Sequence, residues 1–502
     1  VPVDPSFAAL PLEAVRSAAL EKAMALGCSH AEVRIERIRS QVVVVRDGRV
    51  ETTVDDTEIG VGLRVVRDRS MGFAATVELH PDDAAAHLAD EAVEMAVSTA
   101  PALAVPVDLA AEPGHGAVEW SSPYEIDPTT VAVANKAALL TEWSTRLLAH
   151  RAVDHVTAMV LAVVEDKQFA DLSGTVTTQR RVRMHPVVEA FAVEAATGSF
   201  ESMRTLAPPA GRGWEYVTGG SWDWDGELAR LGDLLAEKIA APSVDAGTYD
   251  LVIDPSNLWL TIHESVGHAT ELDRALGYEA AYAGTSFATL DRLGSLRYGS
   301  PAMHVTGDRT TAHGLATVGY DDEGVAAQSF DIVKEGILVG YQLDRRMAAE
   351  NDLGRSNGCA FADSPLHAPI QRMANVSLAP APGAGPTTDE LIAGVDSGVY
   401  VVGDKSWSID MQRYNFQFTG QRFYRIDHGR LAGQLRDVAY QATTTDFWGS
   451  LDAVGGTSTY VLGGAFNCGK GQPPQVAPVS HGCPSALFRG VNVLNARAET
   501  GR

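Results

Sequence analysis

The sequence predicts an α+β protein of two lobes: an N-terminal α+β region, then a strand-rich, largely antiparallel C-terminal domain carrying a metal-site helix. Three observations predict this. Helical and period-two apolar patterns alternate as far as about residue 243. Strand signals broken by Gly and Pro turns dominate beyond it. A helix near the start of that second part holds His263-Glu264-Ser265-Val266-Gly267-His268.

Residues 11–26 place Leu12, Val15, Ala19, Ala23 and Leu26 on one helical face, and Gly27 closes the helix. Val42-Val43-Val44-Val45 leads into Asp47-Gly48, a hairpin turn pair. Ile59, Val61, Leu63 and Val65 then alternate as a strand, which excludes a nucleotide-loop reading of Gly60 and Gly62. Pro81 to about Val97 returns to helix. Residues 101–116 carry Pro101, Pro106, Pro113, Gly114 and Gly116 with little periodicity, the pattern of a linker. A helix over 128–150 follows, then strand-like runs to about 217, then an amphipathic helix from Asp225 to Ala241. Pro242 to Gly247 marks a second boundary. The expected division is 1–116 (α+β domain with linker), 117–243 (central α+β region) and 244–502 (strand-rich domain).

A formal net charge of -24, from 64 acidic and 40 basic residues, disfavours nucleic acid and anionic membrane surfaces as partners. No apolar run approaches ~20 residues, so no membrane helix is expected, and Val1-Pro2-Val3-Asp4-Pro5 shows no signal-peptide pattern. Four scattered cysteines, Cys28, Cys359, Cys468 and Cys483, suit reduced thiols in a cytoplasm.

Tyr249-Asp250-Leu251-Val252-Ile253 reads as a buried strand. Asp254-Pro255 starts a helix, because Asp caps and Pro fits the first helical position. Two histidines and a glutamate then fall within six residues. Zinc takes nitrogen and sulfur ligands, and a nearby carboxylate moves the proton of the attacking water. The histidines are at i and i+5, roughly 140° apart on a regular helix. A single π-turn corrects that angle, and Gly267 would ease the backbone change. For a third ligand the residues leave Glu271 and Cys468 open; Cys468 lies in a glycine-rich stretch read as a turn, beside Lys470. His481 and Cys483 form a second close pair. Asp344-Arg345 reads as an ion pair, and Asp321-Asp322-Glu323-Gly324 as a solvated hairpin turn.

Five stretches in order resemble the TldD/PmbA metallopeptidases, in their catalytic TldD-like branch. They are the histidine run, residues 335–345 (EGILVGYQLDR), Arg372-Met373-Ala374-Asn375, Gly398-Val399-Tyr400-Val401 with Phe416-Gln417-Phe418, and Cys468-Gly469-Lys470. The resemblance implies a Zn2+ site held by His263, His268 and Cys468, with Glu264 as general base. It implies hydrolysis of short or unstructured peptides, and with the strand-rich second part it suggests that the peptide binds extended at a strand edge. It also implies a paralogous non-catalytic subunit as heterodimer partner, with a homodimer as the other form. Arg372 and Asn375 stand as substrate-binding candidates. The stretch 471–484 departs from the family, as do Trp407 and Met411, which leaves three rivals in view. One is a zinc amidase acting on a small biosynthetic conjugate. The second is a non-catalytic subunit. The third is a purely structural zinc with Glu271 or His481 as fourth ligand.

Overall fold

The computed structural model describes residues 3–80, 84–193, 200–471 and 473–499. The first lobe is one seven-stranded sheet. Its strands are β1 (His30–Arg46), β2 (Arg49–Arg67), β3 (Ser70–Thr76), β4 (Ala117–Ser121), β5 (His155–Asp171), β6 (Val176–Val193) and β7 (Phe200–Arg204), in the order β3-β2-β1-β5-β6-β4 with β7 also on β6. The Asp47-Gly48 turn joins β1 to β2 with both residues at positive φ, 47° and 73°. The sheet runs across the expected 116/117 boundary, because β1 pairs with β5 along almost its whole length.

Side-chain alternation divides the faces of this sheet. On β1, Val33 and Ile35 pack with the helices Leu12–Ala25 and Ala84–Thr99. Val43 and Val45 pack with the helices Val133–Leu148 and Trp224–Ala240. These are the helices the periodicity predicts; Pro81, where one was expected to start, lies outside the described residues. The opposite face is charged yet buried: Glu32, Arg34 and Glu36 on β1, Arg64 on β2, Glu165 and Lys167 on β5, Arg181 and Arg183 on β6.

That face docks on the second lobe through Asp321-Asp322-Glu323. Lys167 Nζ donates to Asp322 at 2.6 Å, and Arg64 to Glu323 at 2.7 Å. The expected solvated turn is therefore corrected to a turn at the lobe interface, with Asp321 1%, Asp322 4% and Glu323 1% exposed. Its cations are on distant strands, which no local pattern shows. Asp344 and Arg345 are also corrected. Asp344 caps the helix Arg345–Glu350 through Met347 N–H, while Arg345 donates from its backbone to Glu323 and from Nε to the Ala110 carbonyl.

The second lobe contains β8 (Gly247–Ile253), β9 (Val305–Asp308), β10 (Ser329–Lys334), β11 (Ile337–Leu338), β12 (Ala360–Phe361), β13 (Ile370–Gln371), β14 (Asn375–Leu378), β15 (Ser397–Ile409), β16 (Asn415–Asp427), β17 (Arg430–Leu435), β18 (Val438–Thr443), β19 (Leu451–Val454), β20 (Val461–Lys470), β21 (Gln475–Cys483) and β22 (Ala486–Asn495). The path β15-β8-β22-β18-β16 closes on itself, since β15 also pairs with β16. β8 and β15 are parallel; the other pairs in the ring are antiparallel. Leu251, Ile253, Val401, Phe418, Tyr440 and Phe488 from this ring share one core with Leu258, Leu260 and Ile262 of the following helix. That packing fixes where the helix ends, and so where the histidines stand.

Candidate metal centre

Asp254 caps the helix Pro255–Ile262 by accepting from Ser256 N–H at 3.0 Å, with Pro255 in the first turn. The helix then passes into a π-turn over His263–Gly267. The extra residue per turn corrects the angular offset of the i and i+5 histidines, and their ring centroids are 4.7 Å apart. Carbonyls of the turn find outside donors: Tyr298 Oη donates to Ser265 O, and Gln342 Nε2 to Gly267 O at 2.7 Å. Gly267 has ordinary helical angles, φ -53° and ψ -60°, so it is not there for backbone freedom. It is there for space: a Cβ would stand 2.6 Å from Met373 Sδ.

Cys468 lies in strand β20, which corrects the expected turn. Of the glycines that suggest a turn, Gly469 continues β20 with open space beside it, and Gly471 follows the strand against the Tyr282 ring; Gly463 and Gly464, earlier in β20, pack against the Trp259 ring and β21. A register shift between Ala465 and Cys468 re-aims the strand there. The stretch 471–484 is mostly the returning strand β21, which follows turn residues Gly471, Pro473 and Pro474; Gln472 lies outside the described residues.

His263, His268 and Cys468 each offer a ligand atom, all within 4.8 Å of one another, and all three are buried. Cys468 Sγ is 3.5 Å from His268 Nε2. Zinc with bonds of ~2.0–2.1 Å to nitrogen and ~2.3 Å to sulfur separates two tetrahedral ligand atoms by about 3.5 Å, which is the spacing of His268 and Cys468, and nitrogen and sulfur are the donor types zinc takes.

Each donor has its own polar partner. His268 Nδ1 is 2.9 Å from Glu271 Oε2. Glu271, the other third-ligand candidate, therefore stands behind His268, outside the converging group. His263 Nδ1 is 2.7 Å from His481 Nε2. Arg372 donates to Cys468 Sγ at 3.1 Å and to its carbonyl at 2.7 Å. Burial pushes both His263 and His268 below their ordinary range. Burial opposes ionisation of Cys468, but His268 and Arg372 outweigh it and hold the thiol below its ordinary value. Lys470, just beyond, is buried among Glu271, Asp273 and Gln371.

Glu264 lines the same cleft, and its Oε2 accepts from Arg413 Nη1 at 2.7 Å. The sequence reading missed Arg413, which sits in the β15–β16 turn 149 residues from its partner. The cleft, about 600 Å³, lies between the lobes. His185, Val187 and Arg204 come from the first lobe; Trp259, His263, Glu264, His268, Trp407, Arg413 and Cys468 come from the second. Arg372 and Asn375 do not line it. Both are fully buried and hold other parts of the chain: Asn375 accepts from Ala316 and Ser480 N–H and donates to the Asp308 carbonyl. The expected contact of these two with substrate has no opening here. Cys483 is buried in the apolar core, where its thiol donates to the Pro255 carbonyl at 3.6 Å, and all four cysteines are free thiols.

Comparison with known proteins agrees with this layout. The family model described as PmbA/TldA metallopeptidase C-terminal domain matches residues 246–495, and that of PmbA/TldA metallopeptidase domain 1 matches residues 31–96. A metalloprotease of Methanothermobacter thermautotrophicus is 27% identical over 490 residues, covering 92% of this chain and 95% of that protein. A zinc metalloprotease TldD homolog of Saccharolobus solfataricus is 25% identical over 268 residues, 53% of this chain and 56% of that one. The crystal structure of TldE from Thermococcus kodakarensis shares the fold, with a TM-score of 0.69 at 14% identity over 95% of this chain and 99% of that chain.

Proposed function

The chain belongs to the PmbA/TldD metallopeptidase family, and on that premise we propose that it is a zinc-dependent peptidase acting on short or unstructured peptides. The observation that carries this reading is the convergence of His263, His268 and Cys468 within 4.8 Å, with Glu264 in the same cleft. Those three side chains would hold the ion. When bound, zinc supplies Lewis-acid polarisation of the scissile carbonyl. Glu264 is the general base. Arg413 occupies its Oε2, which leaves Oε1 to take a proton from the attacking water. The water oxygen bonds to the carbonyl carbon, the C–N bond breaks, and Glu264 returns the proton to the leaving amine.

A cleft of about 600 Å³ is in the ordinary range for small ligands and short peptide segments. Among the described residues β20 pairs only with β21, and its small residues Gly463, Gly464 and Ala465 face the cleft. An extended peptide adding to that free edge is held by its backbone, which favours unfolded chains. A paralogous subunit without the metal donors, or a second copy of this chain, is the expected partner. Free thiols suit a reducing cytoplasm. No helix among the described residues is long and apolar enough to cross a membrane.

The test is metal analysis and hydrolysis of an unstructured peptide pool by wild type, Cys468→Ala and Glu264→Gln, with and without partner protein. Wild type retains zinc, Cys468→Ala loses it, and Glu264→Gln keeps it while losing ~10²- to 10⁴-fold in rate. Zinc and activity surviving in Cys468→Ala would overturn the assignment.

A further inference from the structure

We propose that His481 is a positioning residue of the metal centre, locking His263 in the one tautomer that presents a bare Nε2 to the ion. The inference rests on the zinc reading above and assigns a task to the stretch that departs most from the family pattern.

Donors and acceptors alternate from β14 through His481 to His263. His481 is fully buried on β21. Its Nδ1 is 2.7 Å from the Val376 carbonyl on β14. A carbonyl only accepts, so His481 Nδ1 carries the proton. A buried imidazole whose partners are a carbonyl and a second imidazole is neutral. Its Nε2 is therefore an acceptor, and His263 Nδ1, 2.7 Å away, is the donor. That leaves the lone pair on His263 Nε2, which has no hydrogen-bond partner among the described residues and faces the cleft.

The ring of His481 is fixed on every side. Trp259 stacks on it, with centroids 6.2 Å apart and planes 11° apart. The residues before and after it are pinned to β14: Ser480 N–H donates to Asn375 Oδ1 at 3.2 Å, and Gly482 N–H to Ser377 Oγ at 2.9 Å. The two histidines are thus supported differently. His268 is backed by the Glu271 carboxylate, whereas His263 is backed by a neutral ring that orients without adding charge. With both nitrogens engaged, His481 is not free to serve as a fourth ligand.

The experiment measures zinc affinity, by competition with a chromophoric chelator, for wild type, His481→Leu and His481→Gln. Leucine removes the acceptor, and zinc binding weakens by ~10- to 100-fold. Glutamine keeps an acceptor and a donor on one group, and affinity returns to within a few-fold of wild type, a rescue that simple cavity filling does not give. Equal affinity in His481→Leu and wild type overturns the proposal. If His481→Leu does not fold, nitrogen NMR of histidine-labelled, metal-free wild type decides. Protonation of His263 at Nδ1 supports the proposal, and protonation at Nε2 overturns it. Wild type that binds no zinc refutes the proposed function instead, while the NMR result still reads the tautomer.

Discussion

Arg372→Met isolates the contribution of one guanidinium to the thiolate. Arg372 is fully buried and donates to Cys468 Sγ at 3.1 Å, so solvent does not screen the contact. A hydrogen bond to a charged group contributes about 1.5–3 kcal/mol, which corresponds to about tenfold to a hundredfold in the ionisation constant of the thiol. Methionine fills much of the stem volume while removing the charge. The readout is ultraviolet thiolate absorbance of the metal-free protein titrated upward in pH. The other thiols do not interfere early: burial pushes Cys359 up to about 12, and it also raises Cys483 and Cys28 above their ordinary values. Cys468 is the first to ionise in wild type, and its midpoint rises in Arg372→Met. An unchanged midpoint would refute the reasoning, as would loss of the first titration step in a Cys359→Ala control.

Four further outcomes are expected. Gly267→Ala drives a Cβ to 2.6 Å from Met373 Sδ and 2.9 Å from its Cε, and costs about 1–3 kcal/mol in denaturant unfolding along with weaker zinc binding. Lys167→Met leaves Asp322, Glu36 and Glu165, now 2.6, 3.1 and 3.1 Å from its Nζ, without that cation, and lowers stability by about 3–5 kcal/mol in urea. Burial pushes Glu36 up to about 7 despite Lys167, so the folded state holds a proton that the unfolded chain has released. The stability this gives is present below the ordinary carboxylate range and is lost as pH rises through about 7; Glu36→Gln removes that fall in urea midpoints taken at about pH 5 and pH 8. Chelation of bound metal lowers the melting temperature in wild type but not in Cys468→Ala, read by scanning calorimetry.

What the sequence made legible was local. Asp47-Gly48 announces its turn because few other pairs accept two positive φ angles. The i and i+5 histidines predict a π-turn because no regular helix aims both at one point. The helices of the first lobe follow from their apolar faces. What was not legible depends on pairing across long separations. Asp321-Asp322-Glu323 looks like a wet turn until Lys167 and Arg64, 155 and 259 residues away from their partners, come to meet it. Cys468 looks like part of a turn because Gly469 and Gly471 follow it, yet Gly469 continues β20 and the turn begins only at Gly471. Arg372 reads from sequence as a group able to meet substrate, and the fold turns it inward onto sulfur. His481 was noticed for its residue type alone; its partner is 218 positions earlier.

That separation bears on the order in which the protein is made. The donors His268 and Cys468 are 200 residues apart, and His263 gains its backing from β21. A chain emerging from the ribosome carries both histidines for the synthesis of some two hundred residues before sulfur arrives. At ~5–20 residues per second that is ~10–40 s in which the half-made centre has no high-affinity grip on a metal. A bound ion then ties the two ends of that long loop together, much as a covalent cross-link would. A single backbone cut between residues 268 and 468 leaves two fragments that the β8–β22 pairing and the shared core still hold, and in the metal-loaded protein a chelator lowers the urea concentration at which they part.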